Sequence, residues 1–182
     1  MEITKTLYIT KRSEWRRWLE RNHSRETEIW LVYYRKDSGK LRLAYNDAVE
    51  EALCFGWIDG IEKRFKETAT AQRFTPRKAK SNWSELNKAR ARQMIERGLM
   101  TQAGFAKLGN ALETAFEIPG DILKALKADA RTWENFLNFS ETYRRIRIGY
   151  IEDARKRPAD FQKRLANFLK MTGENKKFGT IR

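Results

Sequence analysis

The sequence predicts an α+β fold: a mixed N-terminal module with a small sheet and packed helices, followed by an all-helical C-terminal module. Three observations carry this. The stretch TEIWLVYYRK (residues 27–36) is rich in β-branched and aromatic residues and apolar on both faces, as in a central strand covered on both sides. WIDGIEKRF and ATAQRFTPR then read as two further strands around a loop at Glu67 and Thr68. Beyond Pro119 and Gly120 every apolar pattern has helical spacing.

Taken in order, Ser13 opens a short helix with Trp15, Trp18 and Leu19 on one stripe. After the strand at 27–36, Asp37, Ser38 and Gly39 form a turn, and LRLAY is expected to return as a second strand. Asn46 is expected to cap a helix with Ala48, Val49, Ala52 and Leu53 inward, ending before Gly56. After the strand pair, a helix is expected from Ser81 to Arg97, with Trp83, Leu86, Met94 and Ile95 at helical spacing, stopped by Gly98. A shorter helix covers 101–113. In the second module Ile122, Leu123 and Leu126 form one stripe, and Trp133, Phe136 and Leu137 another. Ser140 caps a helix carrying Tyr143, Ile146, Tyr150, Ile151 and Ala154. Pro158 opens the last, with Phe161, Leu165, Phe168 and Leu169 inward. The expected boundaries are 1–116 for the α+β module, 117–173 for the helical module and 174–182 for a flexible tail.

The 182 residues carry 38 Lys and Arg against 24 Asp and Glu, a formal net charge of +14. One cysteine, Cys54, excludes an internal disulfide framework and a cysteine-cluster zinc site. One histidine, His23, argues against a histidine metal centre or a serine–histidine triad. No metal and no cofactor is expected. The N-terminal stretch lacks the apolar run of a signal peptide, and no segment approaches the roughly 20 apolar residues of a membrane span, so a cytoplasmic, soluble protein is expected.

The charge is concentrated. Residues 63–97 hold eleven basic residues against three glutamates. Within them Arg73, Arg77, Lys78 and Lys80 precede Ser81, read as a helix N-cap, where unpaired N–H groups attract anions. Arg offers paired donors to phosphate or carboxylate, Lys a mobile point charge. Phe74 and Trp83 are candidates for stacking on a base or sugar, although core positions suit them better. Nucleotide-loop fingerprints are missing from the sequence.

EEALCFGWIDG (residues 50–60), RFTPRKAKSNWSELN (73–87) and the RGLM at 97–100 resemble the YdeI/OmpD-associated family, also described as bacteriocin-protection-like. IPGDILKAL and ETYRRIRIGYIEDARK are similar to its helical C-terminal module. The chain departs from the family pattern at Gly149, Tyr150 and Ile151. The resemblance implies a link to envelope or antimicrobial-peptide stress and brings no reaction, cofactor or catalytic set.

The leading functional expectation is therefore a basic binding protein for an anionic partner, either nucleic acid or a phosphate-bearing ligand, engaged through Arg73, Arg77, Lys78, Lys80 and Ser81. An alternative is an enzyme for a small anionic substrate with Asp59 as acid or base; the plainer role for Asp59 is accepting turn N–H groups. A third reading is an adaptor using the C-terminal helices, where Arg144, Arg145, Arg147, Arg155, Lys156 and Arg157 form a basic ridge. Cys54 reads as a buried thiol and His23 as a carbonyl cap. The sequence leaves open whether the protein is an enzyme, and its oligomeric state.

Overall fold

A computed structural model describes residues 2–78, 81–113 and 115–179. The fold is α+β, with a four-stranded sheet in the N-terminal half and helices dominating the C-terminal region. The chain divides into two compact units, Met1–Asn82 with Arg90–Leu112, and Trp83–Ala89 with Glu113–Arg182.

In the first unit β1 (Thr6–Leu7), α1 (Arg12–Asn22), β2 (Ile29–Tyr34), α2 (Tyr45–Cys54), β3 (Trp57–Lys66) and β4 (Ala69–Pro76) follow in order, and α4 (Gln102–Leu108) comes later. The sheet order is β1-β2-β4-β3, with β1 parallel to β2 and the other pairs antiparallel. β2 is buried on both faces from Ile29 to Val32, which matches its unbroken apolar sequence. In the register Ile29 faces Phe74 and Phe74 faces Asp59, so these three share one face. On that face Trp15 packs edge-on to Phe74 at 5.5 Å, and Trp18 edge-on to Trp57 at 5.8 Å. Trp15 also donates its indole N–H to Ala48 O at 2.9 Å, tying α1 to α2. Between these helices lies the buried Glu51, accepting from Arg12 Nε at 2.6 Å and Arg16 Nη1 at 2.8 Å.

The expected strand at LRLAY does not form. A 3₁₀ turn at Lys36–Ser38, closed by Gly39 at φ 68°, ends the β2 segment, and α2 already begins at Tyr45. β4 pairs with every residue of β2, a longer match than the local hairpin offered. Two caps also differ. Helix α1 starts at Arg12 after Lys11 rather than at Ser13, and Asn46 lies inside α2, its side chain accepting from Arg90 Nη2 at 2.7 Å. The end of α2 approaches the start of α4 closely. Thr101 donates both its N–H (3.1 Å) and its hydroxyl (2.6 Å) to Cys54 O. A Cβ at Gly104 would collide with that carbonyl, and one at Gly56 (φ 72°) would lie 2.7 Å from Ala103 O.

Helix α3 (Glu85–Glu96) has residues in both units. It starts at Glu85, not at Ser81: Ser84 Oγ accepts from Asn87 N–H at 3.3 Å, and Ser81 donates its hydroxyl to Lys78 O at 2.9 Å.

The second unit packs α5 (Gly120–Lys127), α6 (Ala130–Asn138), α7 (Glu141–Glu152) and α8 (Pro158–Gly173) around Ile122, Leu126, Phe136, Tyr143, Ile151 and Phe168. Asp129 and Ser140 cap α6 and α7 by accepting from Thr132 N–H and Tyr143 N–H, and proline occupies the first turn of α8. Phe178 packs against this core, its N–H donating to Tyr143 Oη at 3.2 Å. Among the described residues no helix is long and apolar enough to cross a membrane.

Candidate functional site

The described residues among those expected to cradle an anion do not lie at a helix start, since α3 begins at Glu85. Arg73, on β4, is ion-paired with Glu28, its Nε donating at 2.7 Å. Arg77 is 3% exposed, with its N–H on Gly56 O and Nη2 on Asn82 O, each at 2.8 Å. Burial lowers its pKa, and the charge of Asp59 opposes that shift. Lys78 is exposed, and Lys80 lies outside the described residues. Ser81 closes a local turn. Phe74 is fully buried against Trp15 and Trp83 is buried, so both aromatic candidates take core positions.

What does converge is a polar cluster around Asp59. It lies within β3, not in a turn, and its Oδ2 accepts from the hydroxyl of Tyr45 at the start of α2. The charge of Asp59 also acts on Tyr33 of β2, Arg77 after β4 and Arg90 of α3. Burial, then Asp59, raise the phenol of Tyr33, with Arg42 acting the other way. Tyr45 has an exposed ring but turns its hydroxyl onto Asp59; loss of hydration there, then the hydrogen bond, raise its pKa. Arg90 is lowered by burial, opposed by Tyr45, Asp59 and Glu50, and its Nη2 is held by Asn46. The Tyr33 hydroxyl oxygen is buried and makes no hydrogen bond among the described residues. Two phenols and two poorly hydrated guanidinium groups thus sit within electrostatic reach of one carboxylate, Asp59, a set able to orient an anion and to move a proton.

Of this cluster the sequence had marked Asp59 and Arg77. Tyr33 read as strand core and Tyr45 as part of a strand that does not form. Arg90 stood in a charge run with nothing local to distinguish it. Tyr33 on β2, Tyr45 on α2 and Arg90 on α3 meet Asp59 only through tertiary packing, which no short motif carries.

Cys54 is buried, and burial, followed by the nearby Glu51, pushes its thiol up to about 11. The His23 ring places Nδ1 2.9 Å from Leu19 O at the end of α1. Among the described residues no three His, Cys, Asp or Glu side chains are grouped to hold a metal ion.

Residues 7–107, more than half of the chain, match the sequence model of a family described as a domain of unknown function, DUF8412. The chain belongs to this family. A second match, over residues 115–175, is to the bacteriocin-protection, YdeI or OmpD-associated family, the one the sequence resembles. IPGDILKAL and ETYRRIRIGYIEDARK lie inside that second match, whereas EEALCFGWIDG, RFTPRKAKSNWSELN and RGLM lie inside the DUF8412 match. Asp59, Tyr33, Tyr45, Arg77 and Arg90 all fall within the DUF8412 segment. No curated protein and no solved structure matches the chain.

Proposed function

We propose that the protein binds a small phosphate-bearing ligand at the cluster of Tyr33, Tyr45, Asp59, Arg77 and Arg90. The observation that carries the reading is the Tyr33 hydroxyl. A buried donor with no acceptor costs free energy, about 1–3 kcal/mol, and a ligand oxygen would satisfy it; Arg42 is the guanidinium that acts on this phenol. Asp59 would accept from a ligand hydroxyl, as it does from Tyr45, so a phosphate ester of a polyol, which keeps a free hydroxyl, fits better than inorganic phosphate. The match to the bacteriocin-protection family, over 115–175 and so outside the cluster, supports a protective role for the chain rather than for this binding in particular. Nucleic acid held through residues 73–81 has less support, because Arg73 is paired and Phe74 is core.

The test is a thermal-shift titration with glycerol phosphate against sodium chloride of matched ionic strength. Wild type is expected to gain stability with glycerol phosphate concentration, by about 2.7 kcal/mol at a hundred times Kd. Tyr33→Phe removes the unsatisfied hydroxyl, so it is expected to leave the unliganded protein at least as stable as wild type and to bind roughly tenfold more weakly. A wild-type shift no larger than in chloride, or an unchanged shift in Tyr33→Phe, refutes the reading. A second reading, acid–base catalysis, is favoured by the Tyr45–Asp59 hydrogen bond. It requires turnover of the bound ester that Asp59→Asn abolishes.

A further inference from the structure

The basic ridge of the C-terminal unit is sorted by its carboxylates. Arg145 donates to Glu85 at 3.0 Å and to Glu141 at 3.2 Å. Arg155 is held by Asp121 and Glu152, and Arg157 by Asp160. Arg147 is different. It is 7% exposed, its Nε makes no hydrogen bond, and no carboxylate among the described residues pairs with it. Its guanidinium instead lies among rings: Phe178 at 5.0 Å, Tyr150 at 5.5 Å and Tyr143 at 5.7 Å from the ring centroids. The backbone at Gly179 comes so near that a Cβ there would lie 3.0 Å from Arg147 Cζ. Aromatic faces recover part of the lost hydration, and among the described residues no carboxylate offsets the guanidinium charge.

The surroundings are basic and aromatic together. Arg164, on α8, lies 4.0 Å over the Tyr150 ring and donates to Tyr150 O at 2.5 Å. Tyr150 is 43% exposed. Arg144, one helical turn before Arg147, also has a buried Nε with no hydrogen bond among the described residues and lies over Phe136. Exposed Lys177 stands 5.8 Å from the Tyr143 ring. Exposed Tyr150 and Lys177, with the partly exposed Arg144 and Arg164, border the buried Arg147, so cations for a phosphate and an open ring for a flat one lie together.

We infer that this face of the C-terminal unit binds a nucleotide, with Arg147 taking the phosphate and Tyr150 the base. A free mononucleotide and a nucleotide unit of a single strand share this chemistry. The site is separate from the Asp59 cluster and stands whether or not that one binds a ligand.

The test is fluorescence anisotropy of a short fluorescein-labelled oligothymidylate with the full chain at low salt, with thymidine monophosphate as competitor. Wild type binds, and Tyr150→Ala weakens binding roughly fivefold or more, the scale of one lost stacking contact. Arg147→Lys keeps the charge, loses the planar fork and weakens binding by a similar factor. Tyr150 is exposed, so its variant keeps the test valid if substitution at Arg147 perturbs folding. Tyr33→Phe, in the other unit, leaves affinity unchanged. Competition by the monophosphate assigns the site to free nucleotides; its failure assigns it to a strand, and both support the inference. No binding of either probe, or unchanged affinity in both Tyr150→Ala and Arg147→Lys, overturns it. So does loss confined to Tyr33→Phe.

Discussion

Replacing Glu51 by glutamine tests whether α1 and α2 are held together by charge as well as by indole packing. Glu51 is 2% exposed and accepts from Arg12 and Arg16. Burial works to lower the pKa of both arginines, but the hydrogen bonds to Glu51 and its charge, together with Glu50 at Arg12 and Cys54 at Arg16, outweigh it, so both are raised. Glutamine keeps the shape and one acceptor oxygen but removes the charge and turns an N–H₂ toward guanidinium donors. Removing one partner of a buried pair typically costs about 3–5 kcal/mol. Here the cost is smaller. Arg12 keeps Glu50 at 2.7 Å and Asp47 at 3.1 Å, Arg16 keeps Leu99 O at 3.1 Å, and each arginine side chain is 26% exposed to water. About 2 kcal/mol is expected, a fall in Tm of roughly 4–8 °C. Urea unfolding followed by tryptophan fluorescence reads it, since Trp15 and Trp18 lie on α1. The double variant Arg16→Met/Glu51→Leu should recover part of the loss, because exchanging a whole buried pair for apolar groups is often near neutral. A cost below about 0.5 kcal/mol for Glu51→Gln, the range of an exposed ion pair, refutes the argument.

Gly104→Ala should destabilise by about 1–3 kcal/mol, because its Cβ would meet Cys54 O and lie 2.9 Å from Cys54 C; Gly120→Ala, with nothing within 4 Å, should change Tm little. Equal Tm values for the two variants would contradict the close approach of α2 and α4. With its thiol at about 11, Cys54 should react with Ellman's reagent at mild alkaline pH only after urea is added; immediate stoichiometric release in the native protein would mean it is accessible. At Glu85, burial works to raise the pKa, but Lys88 and Arg145 outweigh it and the value is lowered. A lowered carboxylate contributes stability above its unfolded value, and that contribution is lost as pH falls through the folded one. The advantage of wild type over Glu85→Gln should therefore be constant above about pH 5 and shrink as pH falls below the unfolded carboxylate range. An advantage independent of pH, measured by acid titration of circular dichroism, would rule out the ion pairs as its source.

Much of the fold was legible because local chemistry and tertiary demand agreed. The unbroken run at Ile29–Tyr34 meant a strand covered on both faces, and Ser140, Thr101 and Pro158 open helices where their side chains dictate. The misses share a cause. Gly39 does make the left-handed turn its sequence announced, yet what pairs with β2 is decided by β4, some thirty residues further on. In SNWSELN both serines have the chemistry of a cap. Ser84, followed at once by Glu85, places a carboxylate in the first turn where the helix dipole favours it. The site was half legible: Asp59 stood out beside Trp57, while Tyr33, Tyr45 and Arg90 reach it from three other elements.

The distribution of charge also argues for where a ligand should be sought. A net charge of +14 suggested a cationic coat, but many arginines are neutralised in place: Arg12 and Arg16 by Glu51, Arg73 by Glu28, Arg145 by Glu85, Arg155 by Asp121. The informative cations are those that folding shields from water. Arg77, Arg90 and Arg147 all have pKa values lowered chiefly by burial. Exposed lysines attract any polyanion, and salt screens that attraction over about 8–10 Å. A shielded guanidinium is screened much less and rewards an anion whose shape brings it into direct contact. Binding through Arg147 should therefore fall less steeply with salt than binding through the exposed lysines, and the slope of affinity against salt separates the two. A slope in wild type as steep as that left after Arg147→Lys would mean that the exposed cations alone hold the ligand.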